Sequence, residues 1–270
     1  MSELESKIKS WLDDQGYPLE MRVACAFRRA GFRVLQSEYY ADPTSGVQRE
    51  IDVVAHVDRR FEKLLVRIEF VVECKSSKSK PWVMFCASDQ RLANPARVAQ
   101  RTASEIGSDA LLSLAQRKDV QDLDLFSVAH PPAYGITQAF TSGADVAYAA
   151  LTTVAAAAAA AAIEADQYSK LASPFAKIVF PAIAIEGKLF SCVLQDDASI
   201  SVSESQHGTL LWRNQFAGEP HTIVTLLVDG ELSDFAGRAF IAASKFLSLC
   251  ESEMLESLHG WNDRQKKPKS

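Results

Sequence analysis

The chain has 270 residues, of which 47% are hydrophobic and 23% charged, and its net charge is −5. This balance is typical of a soluble globular protein with a sizeable core. The negative net charge excludes a protein that binds nucleic acid through its overall charge, so any contact with nucleic acid needs a local basic patch. The five cysteines are scattered without a CxxC pair, which argues against a zinc site and favours reduced thiols. The first residues lack the apolar stretch of a signal peptide, and we expect a cytoplasmic protein.

The N-terminal segment predicts two helices followed by a strand. Leu4–Leu12 is a short amphipathic helix, and a Gly-Tyr-Pro break separates it from a helical apolar stripe over Leu19–Ala30. Gly31 suits the position just after a helix. Phe32–Tyr40 is then predicted as the first strand, and the Pro- and Gly-containing residues 42–46 as a turn.

Two further predicted strands carry acids where a core strand should have none. The strands are Glu50–His56 and Leu64–Cys74, joined by a turn over Arg59–Lys63. Asp52 interrupts the first apolar run, and Glu73 ends the second. A buried carboxylate costs several kcal/mol unless it is paired or binds a metal, so these acids are candidates for a functional site.

The residues around Glu73 suggest the chemistry of that site. Side chains alternate along a strand, so Glu73 and Lys75 share a face while Cys74 points the other way. Asp52 on the neighbouring strand can join them. Two carboxylates beside an ammonium form a divalent-cation site; the alternative is a surface salt bridge between Lys75 and one of the acids, which the flanking apolar runs disfavour.

Asp52 followed by Glu73-Cys74-Lys75 after a hydrophobic strand resembles the PD-(D/E)xK nuclease superfamily, with its restriction-endonuclease-like fold. One departure from the motif is that Ile51, not proline, precedes Asp52; many superfamily members lack that proline. The resemblance implies a central mixed β-sheet flanked by helices. It also implies that Asp52, Glu73 and the backbone carbonyl of Cys74 bind Mg²⁺, with Mn²⁺ able to replace it, while Lys75 serves the attacking water.

Glu20, on the second predicted helix, is a further candidate for catalysis and metal binding. It matches the helical glutamate that some nucleases add to their metal site. The alternative is an ordinary first-turn glutamate, which the helix dipole favours after Pro18.

A basic segment follows Lys75. Between residues 75 and 104 there are six basic residues and one acid, Asp89, a local charge of +5. Beside a metal site this suits contacts with a phosphate backbone; the alternative is a solvated helix face. The candidate nucleic-acid contacts are Lys78, Lys80, Arg91, Arg97 and Arg101.

The remainder of the chain predicts further α/β structure. From Lys75 to Asp124 no strong strand signal is present, and Asn94–Leu114 is predicted as helical. The C-terminal predictions are a hairpin over 178–194 turning at Glu186-Gly187, a strand over Thr222–Val228 and a helix over Phe235–Leu258. We therefore expect one α/β domain over residues 1–260. Its expected parts are core motifs in 16–80, a helical insertion at about 88–125, a sheet-and-helix extension over 177–258 and a basic disordered tail at 261–270.

An uncharged stretch, Val146–Ile163, ends in eight consecutive alanines before Ile163. Its length reaches the lower limit for a membrane span. Alanine is only weakly apolar but is the best helix former, and acids flank the stretch without a Lys/Arg cluster. We expect a helix packed on a sheet and no membrane association.

Together these features predict a Mg²⁺-dependent endonuclease that hydrolyses phosphodiester bonds, with DNA as the expected substrate. The resemblance implies a role in restriction, anti-phage defence or repair, in which a homodimer or a partner subunit supplies targeting. The alternative is a non-catalytic nucleic-acid-binding or assembly subunit that keeps the nuclease fold.

Overall fold

The computed structural model describes residues 2–93, 95–213 and 221–266. The helices are α1 (Glu3–Gln15), α2 (Tyr17–Ala30), α3 (Ala96–Ala99), α4 (Glu105–Leu114), α5 (Lys118–Gln121), α6 (Val146–Leu171), α7 (Leu232–Leu249) and α8 (Glu251–Lys266). The strands are β1 (Arg33–Ala41), β2 (Gln48–Phe61), β3 (Leu64–Cys86), β4 (Thr102–Ala103), β5 (Ala133–Gln138), β6 (Phe175–Leu194), β7 (Ile200–Ser205), β8 (His207–Trp212) and β9 (Thr222–Val228).

One mixed sheet contains all nine described strands, and its centre is the parallel pair β3 and β6. The antiparallel β1–β2–β3 meander extends it on one side. Around the far end of β3 the pairings close a circuit through β5, β8, β9 and back to β6. The predicted mixed sheet flanked by helices is confirmed.

The lengths of β3 and β6 correct two predictions. The sequence after Lys75 contains Ser and Lys and gives no strong strand signal, yet β3 continues to Cys86 because its backbone pairs with β6 on both sides of a bulge. The predicted hairpin at Glu186-Gly187 is wrong for the same reason, since β6 runs straight through these residues beside β3. The strands expected in the extension over 177–258 therefore belong to the central sheet, with β6 at its centre.

Gly187 allows the two strands to stay close where β3 bulges. The five-residue step from Ser77 to Trp82 in β3 lies opposite the two-residue step from Gly187 to Leu189 in β6. Gly187 has φ 155°, and a Cβ added there would lie 2.5 Å from the carbonyl oxygen of Ser77. The Gly signal thus marks a bulge with close backbone approach, not a turn.

Helices cover both faces of the sheet, which explains the long apolar runs of β3 and β6. Alternate residues of β3, such as Ile68 and Phe70, pack with α2, α4, α7 and α8 on one face. Val71 belongs to the other face, where α6 packs. Because successive side chains along a strand point to opposite faces of the sheet, β3 contributes to the hydrophobic core on each face.

Helix α6 places its small side chains against the sheet. Ala147, Ala150, Ala157 and Ala158 are at most 2% exposed, and they pack with strand residues such as Ile183. Among the helices described, α6 is the one that is long and apolar enough to cross a membrane, but 56% of its most apolar window is buried inside the protein. Alanine at these positions allows the helix to approach the strands closely.

The helical predictions at two other places need correction. The helix expected over Asn94–Leu114 is divided into α3 and α4, which flank the short strand β4; Asn94 itself lies outside the described residues. The C-terminal helix is two helices that meet at Cys250. Residues 261–266, expected to be disordered, continue α8, because Trp261 is buried in the core. Residues 267–270 lie outside the described residues.

Candidate metal centre

The pairing of β2 with β3 brings the two predicted acids together. The antiparallel ladder runs up to Val53 opposite Val72, so Asp52 and Glu73 are the next residues on the two strands. At this point a side-chain contact takes the place of the backbone hydrogen bonds between the strands: Oδ2 of Asp52 accepts a 2.6 Å hydrogen bond from the backbone N–H of Cys74. Both acids therefore stand where the two strands begin to separate.

Lys75 forms an ion pair with Glu73 from the same strand. The distance from Lys75 Nζ to Glu73 Oε1 is 2.5 Å, as expected for side chains two residues apart on one strand face. Glu73 is only 5% exposed, and its other oxygen, Oε2, is buried without a hydrogen-bond partner among the residues described. One buried lone-pair site of this carboxylate therefore remains open.

Glu20 lies near this pair of strands on the first turn of α2. Helix α2 starts after Gly16, whose φ is 84°, and Pro18 follows within its first turn. Burial, with the nearby charges of Asp52 and Glu50 adding to the effect and Lys75 opposing it, raises the pKa of Glu20 to about 7. A helix dipole alone would lower this pKa, so burial and the neighbouring acids outweigh the dipole at Glu20.

Burial and mutual repulsion also disfavour charge on the strand acids. Burial raises the pKa of Glu73 to about 7, with the Asp52 charge adding to the effect and Lys75 opposing it. Burial likewise raises the pKa of Asp52, although the Cys74 N–H and Lys75 stabilise its charged form. Three acids near one lysine leave an excess of negative charge that a bound cation would relieve.

The arrangement fits a divalent cation with few protein ligands. The described residues contain no group of three or more His, Cys, Asp and Glu side chains positioned for a metal. Mg²⁺, however, retains several waters and commonly binds through one or two carboxylates. Asp52 and the open Oε2 of Glu73 supply such oxygens, and Cys74, whose carbonyl is the further expected ligand, follows Glu73 in the chain.

The basic residues expected to contact nucleic acid do not form one surface. Arg101 is only 5% exposed and lies in the interior, so its assignment to a nucleic-acid surface is wrong. Arg97 donates to the carbonyl oxygen of Gln121 over 2.7 Å. Arg91 is paired with Asp89, with 2.8 Å between Arg91 Nε and Asp89 Oδ1.

Lys78 and Lys80 follow Lys75 along β3. Lys78 is exposed, and its Nζ lies 3.4 Å from a carboxylate oxygen of Glu186. Lys80 is half-buried, and its carbonyl oxygen accepts a hydrogen bond from the Ser77 hydroxyl.

Sequence reasoning missed two residues beside the centre. Glu186 faces Ser76 in the β3–β6 register, accepts a 2.7 Å hydrogen bond from its hydroxyl and another from Arg22 of α2. The signal was an acid interrupting an apolar strand, as at Glu73, but it was assigned to a turn. Tyr40 is the second: burial raises its pKa to about 12 with the Glu73 charge contributing, and its hydroxyl donates to the Thr153 carbonyl.

Comparisons with protein families, with characterised proteins and with solved structures find no match to this chain. The functional argument therefore depends on the residues and geometry of the chain itself.

Proposed function

We propose that the chain is a metal-dependent nuclease of the PD-(D/E)xK type, with a restriction-endonuclease-like core, that hydrolyses phosphodiester bonds in DNA. The observation that carries the proposal is the meeting of Asp52, Glu73 and Lys75 at the end of the β2–β3 ladder, with one buried Glu73 oxygen unpartnered among the described residues. Buried acids that repel one another are characteristic of functional sites. A cytoplasmic location agrees with the free cysteines.

In this proposal Asp52 and Glu73 hold Mg²⁺ or Mn²⁺, with the backbone carbonyl of Cys74 as a further oxygen ligand. The bound cation supplies a Lewis acid and lowers the pKa of a coordinated water. The Cys74 N–H keeps Asp52 oriented, because its 2.6 Å hydrogen bond fixes Oδ2 and leaves Oδ1 for the cation. The pairing of Glu73 with Lys75 similarly directs Oε1 and leaves Oε2 open.

Lys75 provides the positive charge for the reacting phosphate. Its ammonium is part-exposed, with a side-chain exposure of 29%, so it is accessible from solvent while its partner Glu73 is buried. An ammonium so placed stabilises the negative charge that develops during phosphoryl transfer and orients the attacking water. Glu20, whose raised pKa keeps part of it protonated near neutral pH, is the residue that can hold or release a proton beside the acids.

The substrate backbone would approach over the end of α2 and the exposed part of β3. Arg22 and Lys78 lie there. Each forms an ion pair with Glu186, and their side chains are 42% and 56% exposed. A phosphate can compete with Glu186 for these cations. The small number of exposed cations near the centre agrees with a targeting function supplied by a second copy of the chain or by another subunit.

The test is cleavage of plasmid, linear and single-stranded DNA and of RNA by the purified chain, with Mg²⁺, Mn²⁺ or EDTA. We expect cleavage of DNA with either metal and none with EDTA. Asp52→Asn, purified in parallel, excludes a contaminating nuclease. Asp58→Asn is the matched control, since Asp58 lies on the same strand but pairs with Arg67 at 2.7 Å. Cleavage that persists in Asp52→Asn contradicts the proposal.

A non-catalytic nucleic-acid-binding or assembly subunit is the second candidate. It is favoured by the contacts of Glu73 with Lys75 and of Asp52 with the Cys74 N–H, which already engage one oxygen of each carboxylate within the protein. In that case the wild-type chain binds DNA in a gel-shift assay equally well in EDTA and in Mg²⁺ and cleaves none of the substrates.

A further inference from the structure

A cavity of about 250 Å³ lies between the sheet and α7, and it contains a buried arginine. Its walls come from β3, β6, β8 and β9, from α7 and from the segment 124–129. Aromatic rings form much of the apolar wall, namely Phe70, Phe180 and Phe235. The residues of the candidate metal centre do not line it. The cavity is therefore a separate feature whose function does not depend on nuclease activity.

Arg101 lines this cavity and lacks a carboxylate partner among the described residues. It is 5% exposed, its Nη2 donates to the Ser127 carbonyl at 3.3 Å, and its Nε is buried without a hydrogen-bond partner. Its guanidinium lies over Phe180, 5.4 Å from the ring centroid. A buried cation with one weak hydrogen bond and one ring contact is far from fully compensated.

The electrostatic surroundings of Arg101 agree with a missing anion. Burial, with a smaller contribution from the charge of Arg97, lowers its pKa to about 9. Two acids line the cavity, Asp124 and Glu231, and among the described residues neither forms an ion pair with Arg101; Asp124 pairs with Arg238, with 3.2 Å between Asp124 Oδ2 and Arg238 Nε. The charge of Arg101 is therefore left for a group that enters the cavity.

Two threonine hydroxyl groups of the wall suit the same ligand. The Thr209 hydroxyl accepts a 3.0 Å hydrogen bond from the Ala129 N–H, so its own proton can be donated to an acceptor in the cavity. Thr225 also lines the wall. An arginine fork with hydroxyl donors matches a carboxylate.

From these contacts we propose that the cavity binds a small organic monocarboxylate with an apolar or aromatic body. The carboxylate pairs with Arg101, and the body rests against the three phenylalanine rings. A monoanion is required because the interior offers one uncompensated cation; the dianion of a phosphate monoester would leave a buried negative charge. The cavity thus adds ligand binding to the chain.

Binding is tested on the full-length wild-type chain with phenylacetate, hexanoate and benzoate, each compared with its neutral amide and with inorganic phosphate. We expect at least one acid to raise the melting temperature, by about 2–4 °C at ten times its Kd, and its amide to have no effect. The fluorine signal of 4-fluorophenylacetate should broaden with protein and recover on addition of the unlabelled acid.

Two variants locate the site. Arg101→Met removes the charge and should weaken binding at least about tenfold. Its melting temperature should not fall, because an uncompensated buried charge is lost. Ala239→Leu fills the cavity from α7 while keeping the charge, and it should also abolish binding; it serves as the test if Arg101→Met does not fold. Arg28→Met is the matched control, since Arg28 is exposed and bonded to Gln36.

The expected result is binding of acid but not amide, lost in both cavity variants and kept in Arg28→Met. Equal effects of acid and amide overturn the proposal, as does unchanged binding in Arg101→Met. Stabilisation by inorganic phosphate alone overturns the carboxylate assignment. Absence of a melting shift and of fluorine broadening with every acid overturns the site itself.

Discussion

The carboxylate of Asp52 accepts a hydrogen bond from the backbone N–H of Cys74 at the position where the β2–β3 ladder ends. This contact links the two halves of the candidate centre. The hydrogen bond connects β2 and β3 through a side chain where a pair of backbone groups would otherwise connect them, and it holds Asp52 beside Glu73 and Lys75. A substitution at Asp52 therefore affects a structural contact and a candidate metal ligand together, which determines how it must be tested.

The first prediction concerns Asp52→Asn. The amide oxygen of Asn can still accept from Cys74 N–H, so the fold should be kept, but the charge needed for a cation is lost. Mg²⁺ or Mn²⁺ should raise the melting temperature of the wild type and not that of the variant, since a ligand stabilises only the state that binds it.

Differential scanning calorimetry with and without each metal measures this effect, with Asp58→Asn as the control. A metal-induced shift that is the same in Asp52→Asn and in the wild type would exclude Asp52 as a ligand. Cleavage assays on the same samples connect metal binding with the proposed activity.

The second prediction concerns pH and Glu73. The pKa of Glu73 in the folded protein is raised to about 7 from an ordinary value of 4.5. The stability it contributes is therefore present below about pH 4.5 and is lost as the pH rises through 7. Without metal, the wild type should lose up to about 3 kcal/mol relative to Glu73→Gln over this range.

Urea unfolding at several pH values measures the difference between the two proteins. The comparison is needed because His56 has the opposite effect: burial lowers its pKa to about 4, so its contribution is lost as the pH falls from 6.5. This effect is common to both proteins and cancels. A difference in stability that does not change with pH would contradict the raised pKa of Glu73.

The sequence identified the elements around the centre because their patterns are local. The α2 stripe, the β1–β2–β3 meander and the acids Asp52 and Glu73 each follow from short periodicities. It could not separate Glu73 from Glu69, which interrupts the same strand. Glu69 is buried against Lys177 at 3.4 Å, and this partner is more than one hundred residues away in the chain.

The errors have a common physical cause, namely pairing over long sequence distances. β3 and β6 are parallel, and their polar stretches stay extended because each satisfies the backbone of the other. Local turn signals such as Gly187 cannot reveal that register. Arg101 is a similar case: a basic residue usually lies at the surface, and nothing in its neighbours along the chain indicates burial beside Phe180.

The third prediction tests why α6 is so rich in alanine. Ala158 is fully buried against the sheet, whereas Ala149 of the same helix is exposed. Ala158→Leu should overpack the layer between α6 and the strands and destabilise the protein by about 1–3 kcal/mol. Ala149→Leu should change the stability little, because leucine is a good helix former on the surface.

Urea unfolding compares the two variants with the wild type. Equal stabilities of Ala158→Leu and Ala149→Leu would mean that α6 does not pack on the sheet through its alanines.

The last prediction concerns Lys75→Ala. The ammonium is paired with Glu73 at 2.5 Å and is accessible from solvent, so it can reach a phosphate held beside the acids. Its loss leaves Asp52 and Glu73 in place and removes charge stabilisation mainly in the transition state. The turnover rate should therefore fall on the order of 10²–10⁴-fold, and DNA affinity far less.

Lys78 offers a matched comparison on the same strand. It is exposed beside Glu186 and further from the acids along β3. Lys78→Ala should therefore weaken DNA binding and flatten its salt dependence while leaving the chemical step nearly unchanged.

Single-turnover cleavage at saturating protein separates the two functions, because binding defects disappear there and chemical defects remain. If Lys75→Ala regains the wild-type rate under these conditions, Lys75 acts only as a phosphate anchor. A rate that stays low at saturation, together with a metal-induced melting shift equal to that of the wild type, assigns Lys75 to the chemical step.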